Sequence, residues 1–525
     1  MSKTKKRNKY SNKYSNKSIC KKSNSYIKLL TKSNNESHTS YSKYKKYVST
    51  IVNQFIKSQT TLLSSIFKVK NNTTFTITYN EVSLSDSSTK YSIPQFIDIF
   101  RYLITKNNYK NDFLNKFNLE EQNLLKDKLS NKYTKAQCYT FLDTSPIGNK
   151  LLSVYNSINV TLMNDLEMKY PSLLFHKLLI NSFTSYKILE DLELNIKKVI
   201  LYSIVYEGKK LDNFVYLFTY DTISIKHSSE YIINLGTEII NRILFFNKFL
   251  NTTYNPDNFI IFLTNNKKEI DKELREHIHF KTINVNTAVT NGSDIIIYRE
   301  EELLKSVFHE LIHFHNLDFR HISPDILNNI ISYLIKTHNI KENNEYLLYE
   351  CITETLANIL NNIYYSGTLK EMSINLEHEI MFSTLQTAKI LNICKYKKWN
   401  QFSNSDTNTD TDTDTNTHTH KNTNTIRDKS KQFTQDSCVF SYYILKLYIF
   451  LNLDIYFKHV LDSKIKFIQT KKSCEYLIKI FDSSRNNIIL EHMINSILKG
   501  LNLNKHINFH KQSKDINNTL RMTCL

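Results

Sequence analysis

Glycine and proline are scarce in this chain of 525 residues, which contains only six Gly and five Pro. Turns must therefore be made largely by Asn, Asp and Ser. The seven cysteines are scattered, and no two of them form a CxxC pair. This spacing suggests neither a disulfide framework nor a cysteine-based zinc site, and it fits a reducing intracellular compartment.

Long apolar runs are also missing. The N-terminus is basic but has no apolar segment behind it, so a classical secretory signal is not expected. The most apolar stretch, residues 439–457, contains Lys446, Asn452 and Asp454, which are costly in hydrocarbon. A buried helix is therefore expected there, and no transmembrane segment.

The positive charge is concentrated at one end. Residues 1–50 hold fourteen Lys or Arg and one Glu, so they carry thirteen of the nineteen net positive charges. This composition is typical of a solvated disordered tail. Such a tail could contact nucleic acid or an anionic membrane surface, which leaves nucleic acid as a possible partner.

Hydrophobic periodicity divides the remaining chain. We expect an α+β fold, in which a small mixed sheet with an edge strand and a helix over about 300–315 precede a mostly helical subdomain. Asn291-Gly292 between two apolar runs, 283–290 and 294–298, predicts a β-hairpin. The predicted regions are a disordered tail (1–50), a helical N-terminal region (51–195), a domain of mixed strands and helices (196–400), a low-complexity Thr/Asn/Asp loop (401–428) and a helical C-terminal region (429–525).

The motif is His309-Glu310-Leu311-Ile312-His313, which matches HExxH. Four residues make about one helical turn, so both imidazoles lie on one face and can bind one Zn²⁺ per chain. The Glu between them is placed to deprotonate a zinc-bound water as general base. On a helical wheel the apolar residues of 303–314 fill one half, and His309, Glu310 and His313 share the other half.

A third ligand is expected from a carboxylate on a later helix, because the position of the metzincin third His is occupied by Phe319. Glu350 and Glu354 share one face of a predicted helix over 345–364. Either could bind the metal. Glu350 is favoured as the ligand, with Glu354 orienting a ligand imidazole. His315 falls in the apolar half and is interpreted as a packed histidine.

These residues resemble the gluzincin group of zinc metallopeptidases, the clan of thermolysin, in which HExxH is joined by a Glu from a downstream helix. The 36 residues between His313 and Glu350 resemble the longer gap of members such as clostridial neurotoxin light chains. The resemblance covers roughly residues 255–400, and the chain lacks the Asn-Glu and Ser-Asp dipeptides of the thermolysin form. The Lys/Asn-rich composition also resembles that of large DNA virus proteins, which would imply host cytoplasm or virion as the location.

The resemblance implies that residues 196–400 form a zincin-like catalytic domain. It also implies a zinc metalloendopeptidase with a protein or peptide substrate. An oxyanion donor is also expected, with Tyr346, His321 and His378 as candidates. Two other functions remain open. One is a catalytically inactive zincin-fold binding protein whose basic tail contacts nucleic acid, and the other is a zinc hydrolase acting on something other than peptides.

Overall fold

A computed structural model describes residues 23–28, 30–31, 35–71, 76–84, 96–105, 112–156, 184–206, 209–220, 229–318, 322–341, 346–403, 433–503 and 518–525. These residues form two compact units. The sheet unit comprises Asn72–Lys268 and Thr282–Phe314, and the helical unit comprises Ser11–Asn71, Glu269–Lys281 and His315–Leu525.

The helices, in chain order, are α1 (Asn35–Ser58), α2 (Thr60–Asn71), α3 (Phe96–Thr105), α4 (Asp112–Asn115), α5 (Leu119–Lys128), α6 (Lys135–Thr144), α7 (Pro146–Asn156), α8 (Tyr186–Asn195), α9 (Ser229–Leu250), α10 (Lys272–His277), α11 (Thr282–Val285), α12 (Leu303–Phe314), α13 (Pro324–Thr337), α14 (Tyr349–Tyr365), α15 (Leu369–Ile393), α16 (Asn400–Ser403), a π-helix (Phe440–Leu445), α17 (Lys446–Phe450), α18 (Leu453–His459), α19 (Lys471–Arg485) and α20 (Ile488–Leu503). The strands are β1 (Thr76–Ser83), β2 (Ile196–Tyr206), β3 (Lys209–Tyr220), β4 (Asn258–Phe262), β5 (His279–Phe280), β6 (Ala288–Asn291), β7 (Asp294–Ile297) and β8 (Thr434–Gln435).

The sheet unit is built on six strands in the order β1-β2-β3-β4-β7-β6. Strands β1, β2 and β3 pair antiparallel, β4 is parallel to both β3 and β7, and β6 returns antiparallel to β7. The central strand β4 reads Asn-Phe-Ile-Ile-Phe and is buried from Phe259 onward, as a strand covered on both faces requires. This order leaves β6 at the edge of the sheet within the described part of the chain.

A shared apolar core joins the sheet to helices α3 to α8. Phe96 and Phe100 of α3, together with Tyr186 of α8, pack against residues of β2, β3 and β4. Capping boxes at Asn118 and Thr134 begin α5 and α6, and each satisfies backbone N–H groups that the helix leaves without partners.

The helical unit contains α1, α2, α10, the π-helix, α13 to α20 and the short parallel pair β5–β8. Its core is formed largely by α14, α15, the π-helix and α17, and Trp399 is fully buried. Among the described residues, Cys524 is disulfide-bonded. The free cysteines of the described part are all buried, and they are Cys138, Cys351, Cys394, Cys438 and Cys474.

Residues 518–525 are held within this unit by side-chain hydrogen bonds to their backbone. Four consecutive backbone carbonyls accept hydrogen bonds from four different side chains. The carbonyls of residues 519, 520, 521 and 522 accept from Lys389, Tyr443, Gln386 and Lys446, respectively. The Glu379 carboxylate accepts from the Thr523 hydroxyl at 2.8 Å and from the Cys524 N–H at 3.0 Å. The segment is therefore an integral part of the core of the helical unit.

The structure confirms the α+β class, with a mixed six-stranded sheet and predominantly helical structure elsewhere. The hairpin around Asn291-Gly292 is confirmed, with Gly292 at φ 61° in the left-handed region that glycine tolerates. Its first arm is shorter than predicted, because residues 282–285 form the helical turn α11. Residues 439–451 are buried, as expected, and residues 440–450 form the π-helix and α17. After a turn at 451–452, α18 is only partly buried, and Ile455 is 39% exposed.

No helix among the described residues is long and apolar enough to cross a membrane. The predicted domain boundaries stay a prediction. One strand, β1, lies within the region predicted to be helical. Within the predicted basic tail, residues 23–28 and 35–50 are helical, and Tyr44 and Val48 of α1 are buried, so the prediction of a solvated disordered tail is wrong for this part. Residues 1–22 of the tail and residues 404–428 of the low-complexity loop lie outside the described residues.

Candidate metal centre

The HExxH motif lies on α12, which is anchored in the sheet unit by its apolar face. Val307, Phe308 and Leu311 are fully buried. The helix packs against α9 and the β6–β7 hairpin, where the Phe308 ring meets Phe245 edge-on at a centroid distance of 6.0 Å. Apolar burial of this extent fixes the rotation of α12 about its axis, and hence the direction of its polar face.

An unusual backbone conformation precedes the first turn of α12. Glu302 has φ 64°, a left-handed conformation that costs a non-glycine residue about 1–2 kcal/mol. Its buried carboxylate forms an ion pair with Lys268 at 2.6 Å, and Glu301 accepts a hydrogen bond from the Lys268 backbone N–H. These contacts offset the strain and fix the start of the motif helix.

The two motif imidazoles face each other. His309 Nε2 and His313 Nε2 are 3.2 Å apart, and the rings are nearly perpendicular, at 81°. With Zn–N bonds of about 2.0–2.1 Å, tetrahedral geometry separates two ligand nitrogens by roughly 3.3 Å. The observed separation therefore fits two ligands of one tetrahedral ion.

Glu350, in the first turn of α14, completes a group that could hold a metal ion. His309, His313 and Glu350 are all buried, and each offers one ligand atom within 4.8 Å of the others. Among the described residues, this is the one group of three or more His, Cys, Asp or Glu side chains that meets these conditions. Two imidazoles and a carboxylate are a donor set that suits zinc, although the same set also accepts other divalent metals.

Glu310 is buried, with 3% of the residue exposed, and its carboxylate is held from the edge strand. The Thr290 hydroxyl of β6 donates to Glu310 Oε2 at 2.7 Å and lies 3.2 Å from the Glu310 backbone oxygen. Sequence reasoning missed this contact. The helix pattern and the hairpin signal each predict a separate element, and neither predicts how the two elements are placed.

Glu354, one turn beyond Glu350, is fully buried. Its Oε1 accepts from Asn358 Nδ2 at 2.8 Å and lies 3.8 Å from Lys446 Nζ. Sequence reasoning also missed Lys446 as a partner of Glu354, because the two residues are distant in sequence. The predicted orienting role of Glu354 toward a ligand imidazole stays a prediction.

The candidate oxyanion donors differ in their surroundings. The Tyr346 hydroxyl donates to the Lys341 carbonyl at 2.6 Å, so this proton already has an acceptor. His378 lines a cavity together with Tyr41, Lys45 and Glu377. His321 lies outside the described residues.

His315 follows the motif helix and is partly buried. Burial lowers the pKa of its imidazole to about 4, which keeps the ring neutral near pH 7. This is the behaviour expected of a packed histidine.

No family model, no curated protein and no solved structure matches this chain significantly.

Proposed function

We propose that this chain is a zinc-dependent metallopeptidase with a zincin-like catalytic fold. The observation that carries the proposal is the 3.2 Å separation of His309 Nε2 and His313 Nε2 in a buried group with Glu350. The position of Glu310 between these two ligands, held by a hydroxyl from the edge strand, adds a buried base. A mixed sheet, an edge hairpin and an HExxH helix are the parts that the zincin layout requires. Their presence in the sheet unit supports the proposal of a zincin-like fold.

The proposed hydrolysis depends both on the bound zinc ion and on side chains of the protein. When bound, zinc would acidify a coordinated water and polarise the scissile carbonyl. His309, His313 and Glu350 would hold the ion. Glu310 accepts the proton of the attacking water and delivers it to the leaving amine nitrogen.

Strand β6 supplies a surface for substrate. It pairs with β7 on one side and is the last strand of the sheet among the described residues. An extended peptide added along such an edge gains main-chain hydrogen bonds without demands on its sequence. We therefore expect a protein or peptide substrate bound in extended form.

The direct test is a proteome-wide search for new N-termini produced by the wild type. The comparison is with Glu310→Gln, which removes the base while retaining the proposed ligands, and zinc content is measured for both proteins. Glu475→Gln is the matched control, since this glutamate is exposed on α19. New termini should appear with the wild type and Glu475→Gln, and disappear with Glu310→Gln and with a chelator.

Retained cleavage by zinc-replete Glu310→Gln would contradict the role of Glu310. Absence of any chelator-sensitive cleavage by zinc-replete wild type would contradict the peptidase assignment. The open alternatives, a binding protein and a hydrolase of non-peptide substrates, would then be tested with nucleic acid and with ester or amide small molecules.

A further inference from the structure

Thr290 lies at the end of the edge strand β6 and contacts the motif helix. It immediately precedes the Asn291-Gly292 turn and is paired with Ile295 of β7. Among the residues that the structure describes, Thr290 is the one side chain that hydrogen-bonds to the Glu310 carboxylate. The bond is short, at 2.7 Å, and its acceptor is buried. It has the length expected of an O–H···O⁻ bond, which is stronger than a bond between neutral groups.

Because of this bond, the two carboxylate oxygens of Glu310 have different roles. Oε2 accepts from Thr290, so Oε1 is the oxygen that remains to accept a proton from water. A carboxylate on two sp³ side-chain carbons has several rotamers, and a fixed donor on one oxygen selects among them. The threonine is a suitable donor because its β-branched side chain has few χ1 states and its backbone is paired within the hairpin.

We propose that Thr290 is the positioning residue for the general base. This inference rests on the proposed peptidase function and deepens it by adding a residue that neither touches the metal nor reacts. Because Thr290 belongs to the strand proposed to pair with substrate, the same strand sets the position of the base and the position of the scissile bond. Precise placement of a base relative to the reacting atoms contributes strongly to rate, so the loss of this hydroxyl acts on kcat.

The test compares three variants. Thr290→Val removes the hydroxyl and keeps the shape, and Thr290→Ser restores the hydroxyl. Thr287→Val is the matched control, because Thr287 is a buried threonine on the same segment. Its hydroxyl has no hydrogen-bond partner among the described residues. All four proteins are assayed at equal zinc content with an internally quenched peptide that the wild type cleaves in a chelator-sensitive way.

Thr290→Val should lower kcat by roughly tenfold or more, within the range that a positioned base contributes, and change KM less than about twofold. Thr290→Ser should recover most of kcat, and Thr287→Val should match the wild type. A structural readout that does not depend on activity accompanies the kinetics. Crystal structures of the metal-free wild type and Thr290→Val should show the Glu310 carboxylate ordered in the former and rotated or disordered in the latter.

Three outcomes would overturn the inference while leaving the peptidase function intact. These are an unchanged kcat in Thr290→Val, an equal loss in Thr287→Val, or an unmoved Glu310 carboxylate in the variant structure. Failure of the zinc-replete wild type to cleave any peptide would instead reject the proposed function, and the inference with it.

Discussion

Lys446 Nζ lies 3.8 Å from Glu354 Oε1, and neither side chain is more than 1% exposed. Lys446 also donates to the backbone carbonyl of Met522. The pair thus joins α14, which carries Glu350, to the segment 518–525. Burying two charges is costly, and their mutual attraction offsets the cost only while both are present.

Lys446→Met is therefore expected to lower the free energy of unfolding by about 3–5 kcal/mol, because it leaves the Glu354 carboxylate buried without its cation. Urea denaturation at pH 7 measures this change. The double variant Lys446→Met with Glu354→Gln should lose less than the sum of the single variants, since it removes both charges.

An exposed ion pair serves as the control. Lys198 and Glu81 are 2.8 Å apart, and their side chains are 29% and 44% exposed. Lys198→Met should change the free energy of unfolding by less than about 1 kcal/mol, because solvent already screens this pair. A loss in Lys446→Met no larger than that in Lys198→Met would show that the buried pair contributes little.

Metal binding should depend on His309. His309→Ala removes one of the two nitrogens that lie 3.2 Å apart, and it should reduce bound zinc from about one ion per chain to near zero by elemental analysis. Zinc should raise the melting temperature of the wild type but not of the variant, since ligand binding to the native state stabilises it. His459→Ala is the control, because this histidine stacks on Tyr476 outside the centre. Full zinc content in His309→Ala would reject the ligand assignment.

Patterns among residues close in sequence predict those parts of the centre that lie within one helix or one turn. The spacing of His309 and His313 defines one helix face, and Asn291-Gly292 defines a turn whose glycine has the expected positive φ. The spacing of Glu350 and Glu354 is likewise a local pattern, and it predicts a carboxylate-bearing helix face. The group of three buried residues includes Glu350, although it does not identify the metal.

Contacts between elements could not be obtained in this way. The bond from Thr290 to Glu310 depends on the placement of a hairpin relative to a helix, to within an ångström. The approach of Lys446 to Glu354 depends on the packing of helices that are far apart in sequence. The π-helix at Phe440–Leu445 replaced part of a predicted continuous helix, because hydrophobic periodicity does not distinguish a local widening from a regular α-helix.

His338 should make stability depend on pH. Burial lowers the pKa of this fully buried imidazole to about 3, and its Nε2 lies 2.9 Å from the Tyr448 hydroxyl. The unfolded chain, with a His pKa of about 6.5, binds a proton that the native state does not bind. The contribution of His338 is therefore fully present above about pH 6.5 and is lost as the pH falls toward about 3, at about 1.4 kcal/mol per pH unit.

The measurement is urea denaturation of metal-free protein at pH 7 and pH 5, for the wild type and His338→Gln. The variant should be less stable at pH 7, because it disrupts a packed core. Its further loss on acidification should be smaller than that of the wild type by about 2 kcal/mol, since the titrating group is gone. Equal losses in the two proteins would show that His338 does not titrate between the native and unfolded states.

The segment 518–525 should contribute to stability as a core element. Leu520 is fully buried, and its carbonyl accepts from the Tyr443 hydroxyl. Leu520→Ala should lower the free energy of unfolding by about 2–5 kcal/mol, because it leaves a cavity in a packed interior while the backbone bonds of the segment remain. The same substitution at Leu194, which is 49% exposed on α8, should cost less than about 0.5 kcal/mol. If urea denaturation gave the two variants similar losses, the segment would be peripheral. Its four carbonyl contacts would then not represent a stable part of the helical unit.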